Sequence, residues 1–423
     1  MAAPDQAFLI SIEGAIGPAT SAHVADGLER ARQEDAAIVI LEMDTPGGLD
    51  TSMREIIQEI LSMPLPVVGY VHPSGARAAS AGTYIIYASH VSAMTPGTNL
   101  GAATPIQIGS TPAQPEEGEE KAPQNVSEQK AVNDAVAYIR SLAEIRGRNA
   151  DWAERAVRNA ESLSASAALE QGVIEIVAAD IEELLVELDG RTVDVAGESR
   201  KLSTKSLSIV QIEADWSTRL LATITDPNVA LILLMVGIYG LFFEFMNPGA
   251  LVPGTIGAIS LLVALYSLAA LPVDFAGIAL ILLGLALLVA EAFAPSFGIL
   301  GLGGLASFVV GAAIMFDTDV PQFQVDRSVI AALGVLGAIL MIIIARVGIS
   351  SFRRPVKGGK EDMIGAKGEV ADWHDGRGHV FVHSERWNAT GPHDLEQGAT
   401  VKVEGIDKLE LSVSLSEEED ART

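Results

Sequence analysis

At 423 residues the chain exceeds what one hydrophobic core usually organises, and 49% hydrophobic residues with positive mean hydropathy is too apolar for an ordinary soluble protein. A net charge of −26 excludes nucleic acid as a partner, because phosphate binding needs clustered Lys and Arg. The absence of cysteine excludes disulfides, thiolate nucleophiles and Cys-ligated zinc, and leaves the redox compartment open.

The first residues, Met1 to Gln6, lack the basic start and apolar run of a secretory signal and lead directly into a strand over 7–12. Two readings of this start stand side by side: a native beginning, or a remainder after cleavage near the small residues Ala2 and Ala3. A helical stretch over 19–32 and a buried strand over 36–43 follow, and strand, helix, strand predicts a parallel sheet. The alternation continues through a turn at Thr45-Pro46-Gly47-Gly48, a helix, a strand over 66–71 and the small-residue segment Gly75–Thr83.

Two points in this alternation lie where a strand ends and a helix begins, the usual place for ligand sites in parallel sheets. At Gly47-Gly48, paired glycines permit positive φ and unhindered backbone N–H groups, which an oxyanion site needs; they equally describe a plain tight turn. Ser80, between Ala79 and Ala81, enters a helical stretch over 83–88. Small neighbours make room for a nucleophile on a sharp turn, while a helix-capping serine fits the same letters. Free N–H groups at that helix start would favour a developing oxyanion.

A serine nucleophile needs a base. His72 and His90 flank strands and read as surface residues, which leaves lysine, and before the membrane region the lysines are Lys121, Lys130, Lys201 and Lys205. Lys130 begins a helix over 127–146 whose apolar stripe is Val132, Ala135, Val136, Ile139 and Ala143. It lies opposite that stripe, which predicts a solvated side chain. Its first-turn position supplies positive potential that lowers a lysine pKa, as a base requires. Spacing leaves both readings open. Residues 109–125, rich in Pro and Glu, read either as a lid or as a solvated loop with no role.

From Leu220 to Asp326 there is no Lys or Arg, and the runs reach the ~20 apolar residues that a bilayer span requires. Five spans are predicted near Val229–Met246, Leu251–Leu271, Phe275–Ala294, Phe297–Phe316 and Ser328–Ala345. Arg346, Arg353, Arg354, Lys357 and Lys360 follow the last span, so the positive-inside rule places the C-terminal part in the cytoplasm; a count of five then puts the N-terminal part outside, and a count of four puts both parts on one side. Glu244, Pro248, Gly254 and Gly257 recur 47 residues later as Glu291, Pro295, Gly301 and Gly304, which predicts two similar helical hairpins. Each Glu reads either as an interfacial anchor or as a buried polar contact.

Beyond residue 360, five short alternating strands separated by Gly, Asp and Pro turns predict a small barrel. Sparse basic residues and the acidic tail Glu417–Asp420 favour protein over oligonucleotide contact. His374, His379, His383 and His393 show no fixed ligand spacing and read as scattered surface residues rather than a metal site.

The segments Thr45-Pro-Gly-Gly, Ala78-Ala-Ser-Ala-Gly-Thr83, Met94-Thr-Pro-Gly-Thr98, Gly101-Ala-Ala, the helix from Lys130 to Ala143 and Ala168-Leu-Glu-Gln-Gly-Val-Ile174 resemble the NfeD family of membrane-bound, ClpP-class serine proteases in its long form. The resemblance covers the whole domain order. It implies an α/β ClpP/crotonase-like domain over 1–215, an α-helical transmembrane region over 220–350 and an OB-fold β-barrel over 360–415. By motif it assigns Ser80 as nucleophile, Lys130 as general base of a Ser–Lys dyad, and the backbone of Gly48 and Ala81 as oxyanion hole. It further implies a peptide substrate in hydrophobic segments of membrane proteins, a stomatin-like partner, a membrane-lipid surround, assembly as a homo-oligomer and no cofactor. The rival readings are a non-catalytic scaffold for a stomatin-like protein and acyl-CoA chemistry; the latter predicts carboxylates beside the two glycine-bearing turns, and none stands out there.

Overall fold

The computed structural model describes residues 5–105, 126–246, 248–294, 296, 298–316, 323–352 and 360–416, in two compact units, Met1–Ile339 and Leu340–Thr423. The segment expected as a lid or loop, 109–125, lies outside the described residues.

The first unit opens with β1 (Gln6–Glu13), α1 (Pro18–Gln33), β2 (Ile38–Asp44), α2 (Asp50–Ser62), β3 (Val67–Val71), β4 (Arg77–Ala79), α3 (Ala81–Ala88), β5 (Val91–Met94) and β6 (Asn99–Gly101). It continues through α4 (Val126–Arg146), α5 (Ala150–Arg158), β7 (Ser162–Ser164), α6 (Ala165–Glu170), β8 (Ile176–Val177), α7 (Ile181–Leu188), the hairpin β9 (Thr192–Val195) and β10 (Glu198–Lys201), and β11 (Ser208–Ile212). Six strands form a parallel sheet in the order β11-β1-β2-β3-β5-β8. Alternate residues of each strand feed two cores. Phe8, Ile10 and Ile12 of β1 join Leu28, Ile57, Tyr84, Ile139 and Trp152, contributed by α1 to α5. Ala7 and Leu9 join Leu184 and Leu188 of α7 and Val193 of β9. Covered on both faces, the central strands are continuous apolar runs, as in Ile38-Val-Ile-Leu41. A second sheet, β4-β6-β7, is stitched to the end of β2 by a bridge between Thr45 and Ala78. This is the α/β arrangement with a parallel sheet expected from the alternation of strands and helices.

A short helix, α8 (Trp216–Ile224), leads into five apolar helices where five spans are expected: α9 (Pro227–Met246), α10 (Val252–Ala270), α11 (Phe275–Phe293), α12 (Ile299–Ile314) and α13 (Arg327–Phe352). Of these, α9 and α10 are each long and apolar enough to cross a bilayer. The repeat appears as two hairpins, α9 with α10 and α11 with α12, and small residues set their closeness. A Cβ on Gly257 would lie 2.9 Å from the Gly240 Cα, and one on its counterpart Gly304 would lie 2.7 Å from the Gly284 carbonyl oxygen. The repeated glutamates close the hairpin turns. Glu291 accepts from Ser296 N (3.0 Å), Ser296 Oγ (2.5 Å), Gly298 N (2.9 Å) and Gly301 N (3.3 Å), whereas Glu244 accepts from Gly249 N (3.2 Å). The polar partners of Glu291 all belong to its own turn, between α11 and α12, and to the start of α12.

The second unit carries α14 (Lys360–Met363) and the strands β12 (Lys367–His374), β13 (Arg377–Val382), β14 (Glu385–Thr390), β15 (Thr400–Asp407) and β16 (Glu410–Leu415). They close into a barrel in the order β12-β13-β14-β16-β15, around Val370, Val380, Val382, Val401, Leu411 and Val413. β14 and β16 pair in parallel and the other neighbours are antiparallel, the connectivity of an OB-fold. His379 pairs with Asp372 at 2.7 Å, and among the described residues no group of His, Asp and Glu has the makings of a metal site.

Candidate active site

Ser80 stands between the end of β4 and the start of α3 with φ 52° and ψ −116°. A side-chain-bearing residue held at such positive φ is strained by roughly 1–3 kcal/mol, so its neighbours must over-determine it. They do so through one residue above all. The buried Thr83 hydroxyl sits 2.9 Å from the Ala78 carbonyl and 3.0 Å from the Gly101 carbonyl, and accepts from Gly101 N at 3.0 Å. Ser80 N itself donates to Gly101 O at 2.9 Å. Thr83 thereby ties both arms of the turn to β6. The capping role is not what forms: the Ser80 side chain makes no cap bond to α3, and its hydroxyl, on a partly exposed residue, has no hydrogen-bond partner among the described residues. Strand, sharp turn, serine, helix is the geometry that presents a nucleophile.

The glycine turn meets this serine directly. Gly47 has φ 117°, and a Cβ there would stand 2.7 Å from the Ser80 Cβ and 3.2 Å from its Oγ. Gly48 is glycine for a different reason, since a Cβ there would lie 2.1 Å from the Ile16 carbonyl oxygen. Thr45, fully buried, shapes the turn by accepting from Gly47 N at 3.0 Å, while its backbone bonds to Arg77 O (2.7 Å) and Ala79 N (3.0 Å) lock the turn to the Ser80 strand. A Cβ on Gly82 would come within 2.6 Å of the Thr45 Cγ2, which accounts for the small residue after Ala81. Ala81 opens α3, so its N–H has no partner within the helix, and among the described residues neither Gly48 N nor Ala81 N donates a backbone bond.

Lys130 lies near the start of α4 and is exposed, and no hydrogen bond joins it to Ser80. The expected apolar stripe is the buried face, with Ala135, Val136, Ile139 and Ala143 in the core and Val132 packed at its edge. One turn beyond Lys130 on the same side, Asp134 accepts from Arg54 of α2 at 2.6 Å. Arg54 also bonds Asp50 at 2.8 Å and lies 4.4 Å from the Tyr138 ring centroid, and Tyr138 stacks on Tyr84 of α3 at 6.1 Å. This clamp joins the helix that follows the glycine turn to the helix that carries Lys130. Neither Arg54 nor Thr83 was singled out by sequence reasoning, because their roles depend on partners 80 and 18 positions away.

The two local histidines are committed elsewhere. His72 Nδ1 pairs with Glu42 Oε1 at 2.6 Å. His90 Nδ1 accepts from Val67 N at 3.2 Å, and burial pushes its pKa down to about 3, so it is neutral near pH 7. Burial also raises the Tyr84 phenol, which stays protonated and donates to Ala103 O at 3.2 Å.

Comparison with known proteins follows the same division of the chain. Residues 6–197 match the NfeD1b N-terminal domain, 228–346 the NfeD integral membrane domain, and 360–414 the NfeD-like C-terminal, partner-binding domain. The chain is 37% identical over 398 residues to a protein named membrane-bound protease PH1510 of Pyrococcus horikoshii, covering 90% of this chain and 87% of the relative. It is 27% identical over 304 residues to membrane protein NfeD1b of Bacillus subtilis, covering 71% of this chain and 65% of that one. Among solved structures, a lysine-to-alanine mutant of the 1510-N membrane-bound stomatin-specific protease with a substrate peptide covers 53% of this chain and 99% of its own, at 38% identity and TM-score 0.47. A serine-to-alanine mutant of the same protease covers 50% and 100%, at 38% identity and TM-score 0.45. With its N-terminal, integral-membrane and partner-binding domains in one polypeptide, this chain belongs to the NfeD family of membrane proteins.

Proposed function

We infer that this protein is a membrane-anchored serine endopeptidase. The observation that carries the reading is Ser80 itself, a strained, uncapped serine on a sharp strand-to-helix turn, in contact with a glycine turn whose backbone is free of side chains. The protease relative, which this chain matches over nearly its whole length, supports the same class. In this mechanism Ser80 Oγ attacks the peptide carbonyl carbon while its proton passes to the Lys130 Nζ. The N–H groups of Gly48 and Ala81 receive the oxyanion. Collapse breaks the C–N bond and the leaving amine takes the proton from Lys130; water then attacks the acyl ester with Lys130 again as base, the bond from the acyl carbon to Ser80 Oγ breaks, the carboxylic acid leaves and Ser80 Oγ takes the proton back from Lys130. The substrate is a hydrophobic segment of a membrane protein, as the family resemblance implies, and the partner is stomatin-like, which the description of related proteases as stomatin-specific supports. The basic residues Arg346, near the end of α13, and Arg353 and Arg354, which follow it in the sequence, support a cytoplasmic barrel and an external protease domain.

One observation favours a second reading. Lys130 is exposed and not bonded to Ser80, as expected of a scaffold whose dyad is unused. A serine-directed fluorophosphonate probe separates the two: labelling of the intact protein that vanishes in Ser80→Ala supports the endopeptidase, and no labelling of a protein that still captures a stomatin-like partner supports the scaffold.

A further inference from the structure

The membrane helices reach the catalytic turn through a short series of direct contacts. Phe323, on the connection between α12 and α13, is buried, and the position a Cβ would take on Gly17 lies 3.2 Å from its ring. Ala15 and Leu49, on either side of the Ile16–Gly48 bridge, pack against the same apolar cluster, which contains Met315, Phe316, Phe323 and Val325 of the membrane region. Ile16 N donates to Gly47 O at 2.8 Å and Leu49 N donates to Ile16 O at 2.8 Å, so the segment resting on the membrane helices is the one that holds the glycine turn. Gly47 in turn touches Ser80. The helix ends gathered here are fastened to one another: Asn228 at the start of α9 bonds Asp326 before α13, Ser267 of α10 bonds Ile224 O, and Asp274 N before α11 donates to Met315 O.

We propose that this protein cleaves at the bilayer surface: Phe323 seats the segment 15–17 on the membrane helices, and that seating holds Ser80 beside the point where a substrate's own span leaves the bilayer. The inference rests on the endopeptidase reading and narrows its substrate to a juxtamembrane segment of a membrane-anchored chain. Three side-chain-scale contacts separate Phe323 from Ser80. An extended peptide advances ~3.3 Å per residue, so a linker of about five to ten residues beyond the bilayer reaches the serine. Longer linkers reach it too but dilute the segment, roughly as the −3/2 power of length, so lengthening a flexible linker from about six to about thirty residues lowers its effective concentration about tenfold.

Two measurements on the full chain in liposomes test this. In the first, substrates with one transmembrane anchor and one cleavable segment differ in linker length. Cleavage is expected to be about tenfold faster for the short linker than for the long one, with the preference lost in Phe323→Ala while a free soluble peptide is cut equally by both proteins. Equal rates, or faster cutting of the long linker, overturn the proposal. The second needs no catalysis and so remains decisive if no peptide is cut, an outcome that would count against the endopeptidase reading alone. The chain has no cysteine, so Ser80→Cys carries a single thiol for a fluorophore. Quenching by headgroup-nitroxide lipids, weakened in the Phe323→Ala background, is expected; quenching only by an aqueous nitroxide overturns the placement. Phe323→Leu, which keeps most of the apolar volume, guards against loss of folding in the alanine variant.

Discussion

Gly47 and Ser80 are in contact, with room between them for a hydrogen but not for a Cβ, which would stand 2.7 Å from the serine's own Cβ. Both residues also hold positive φ, 117° and 52°. Gly47→Ala is expected to cost ~1–3 kcal/mol of stability from backbone strain and to lower kcat/KM at least a hundredfold by pushing Ser80 aside. Thermal unfolding and peptide turnover on the same sample measure both; full activity with an unchanged Tm would contradict the contact.

The strain at Ser80 predicts a trade between stability and activity. Ser80→Gly relieves the positive-φ cost and is expected to raise stability by roughly 1 kcal/mol while abolishing turnover and covalent labelling, whereas Ser80→Ala abolishes them with no such gain. A glycine variant less stable than the alanine variant would show that the surroundings do not impose the conformation.

Arg54 offers a test of how α4 is held. It bonds Asp134 one turn from Lys130 and lies against Tyr138. If Lys130 is the base, Arg54→Ala is expected to lower kcat about tenfold with little change in KM. Arg54→Lys recovers only part of this, because a lysine lacks the planar fork that spans Asp50, Asp134 and the ring. Unchanged kcat in both variants would remove Arg54 from the positioning of Lys130.

His90 should leave a pH signature in stability. Its folded pKa, near 3, lies below the unfolded value near 6.5, so the unfolded chain binds the extra proton between those pH values. Stability contributed by neutral His90 is therefore complete above about pH 6.5 and falls by up to ~1.4 kcal/mol per pH unit as pH drops toward 3. Denaturant unfolding from pH 7 to pH 4 measures the slope, which His90→Asn should flatten.

The two repeated glutamates are not equivalent. Glu291→Ala removes the acceptor for three backbone N–H groups and the Ser296 hydroxyl, while Glu244→Ala removes one bond to Gly249 N. Unsatisfied donors near a bilayer cost ~1–3 kcal/mol each where water does not replace them. Proteolysis of the detergent-solubilised protein should expose the α11–α12 turn well before the α9–α10 turn.

How much of this was legible in the sequence follows from the range over which each feature is decided. Strand, helix and span are local patterns, so the parallel sheet, the apolar helices, the duplicated hairpins and the small barrel were all readable from runs of letters, and the stripe of α4 was readable from its period. The NfeD resemblance named Ser80 from a motif whose small residues exist to fit one turn. Which glycine faces the serine was not readable: Gly47 and Gly48 are the same letter, and only the packing of Gly48 on Ile16 and of Gly47 on Ser80 separates them. The same holds for Thr83 pinning the turn through Gly101, for Arg54 clamping α4, and for Phe323 resting on Gly17 across some three hundred positions. Periodicity records which face of an element is apolar; it carries no information about which distant element that face will meet, and at this site the meetings set the chemistry.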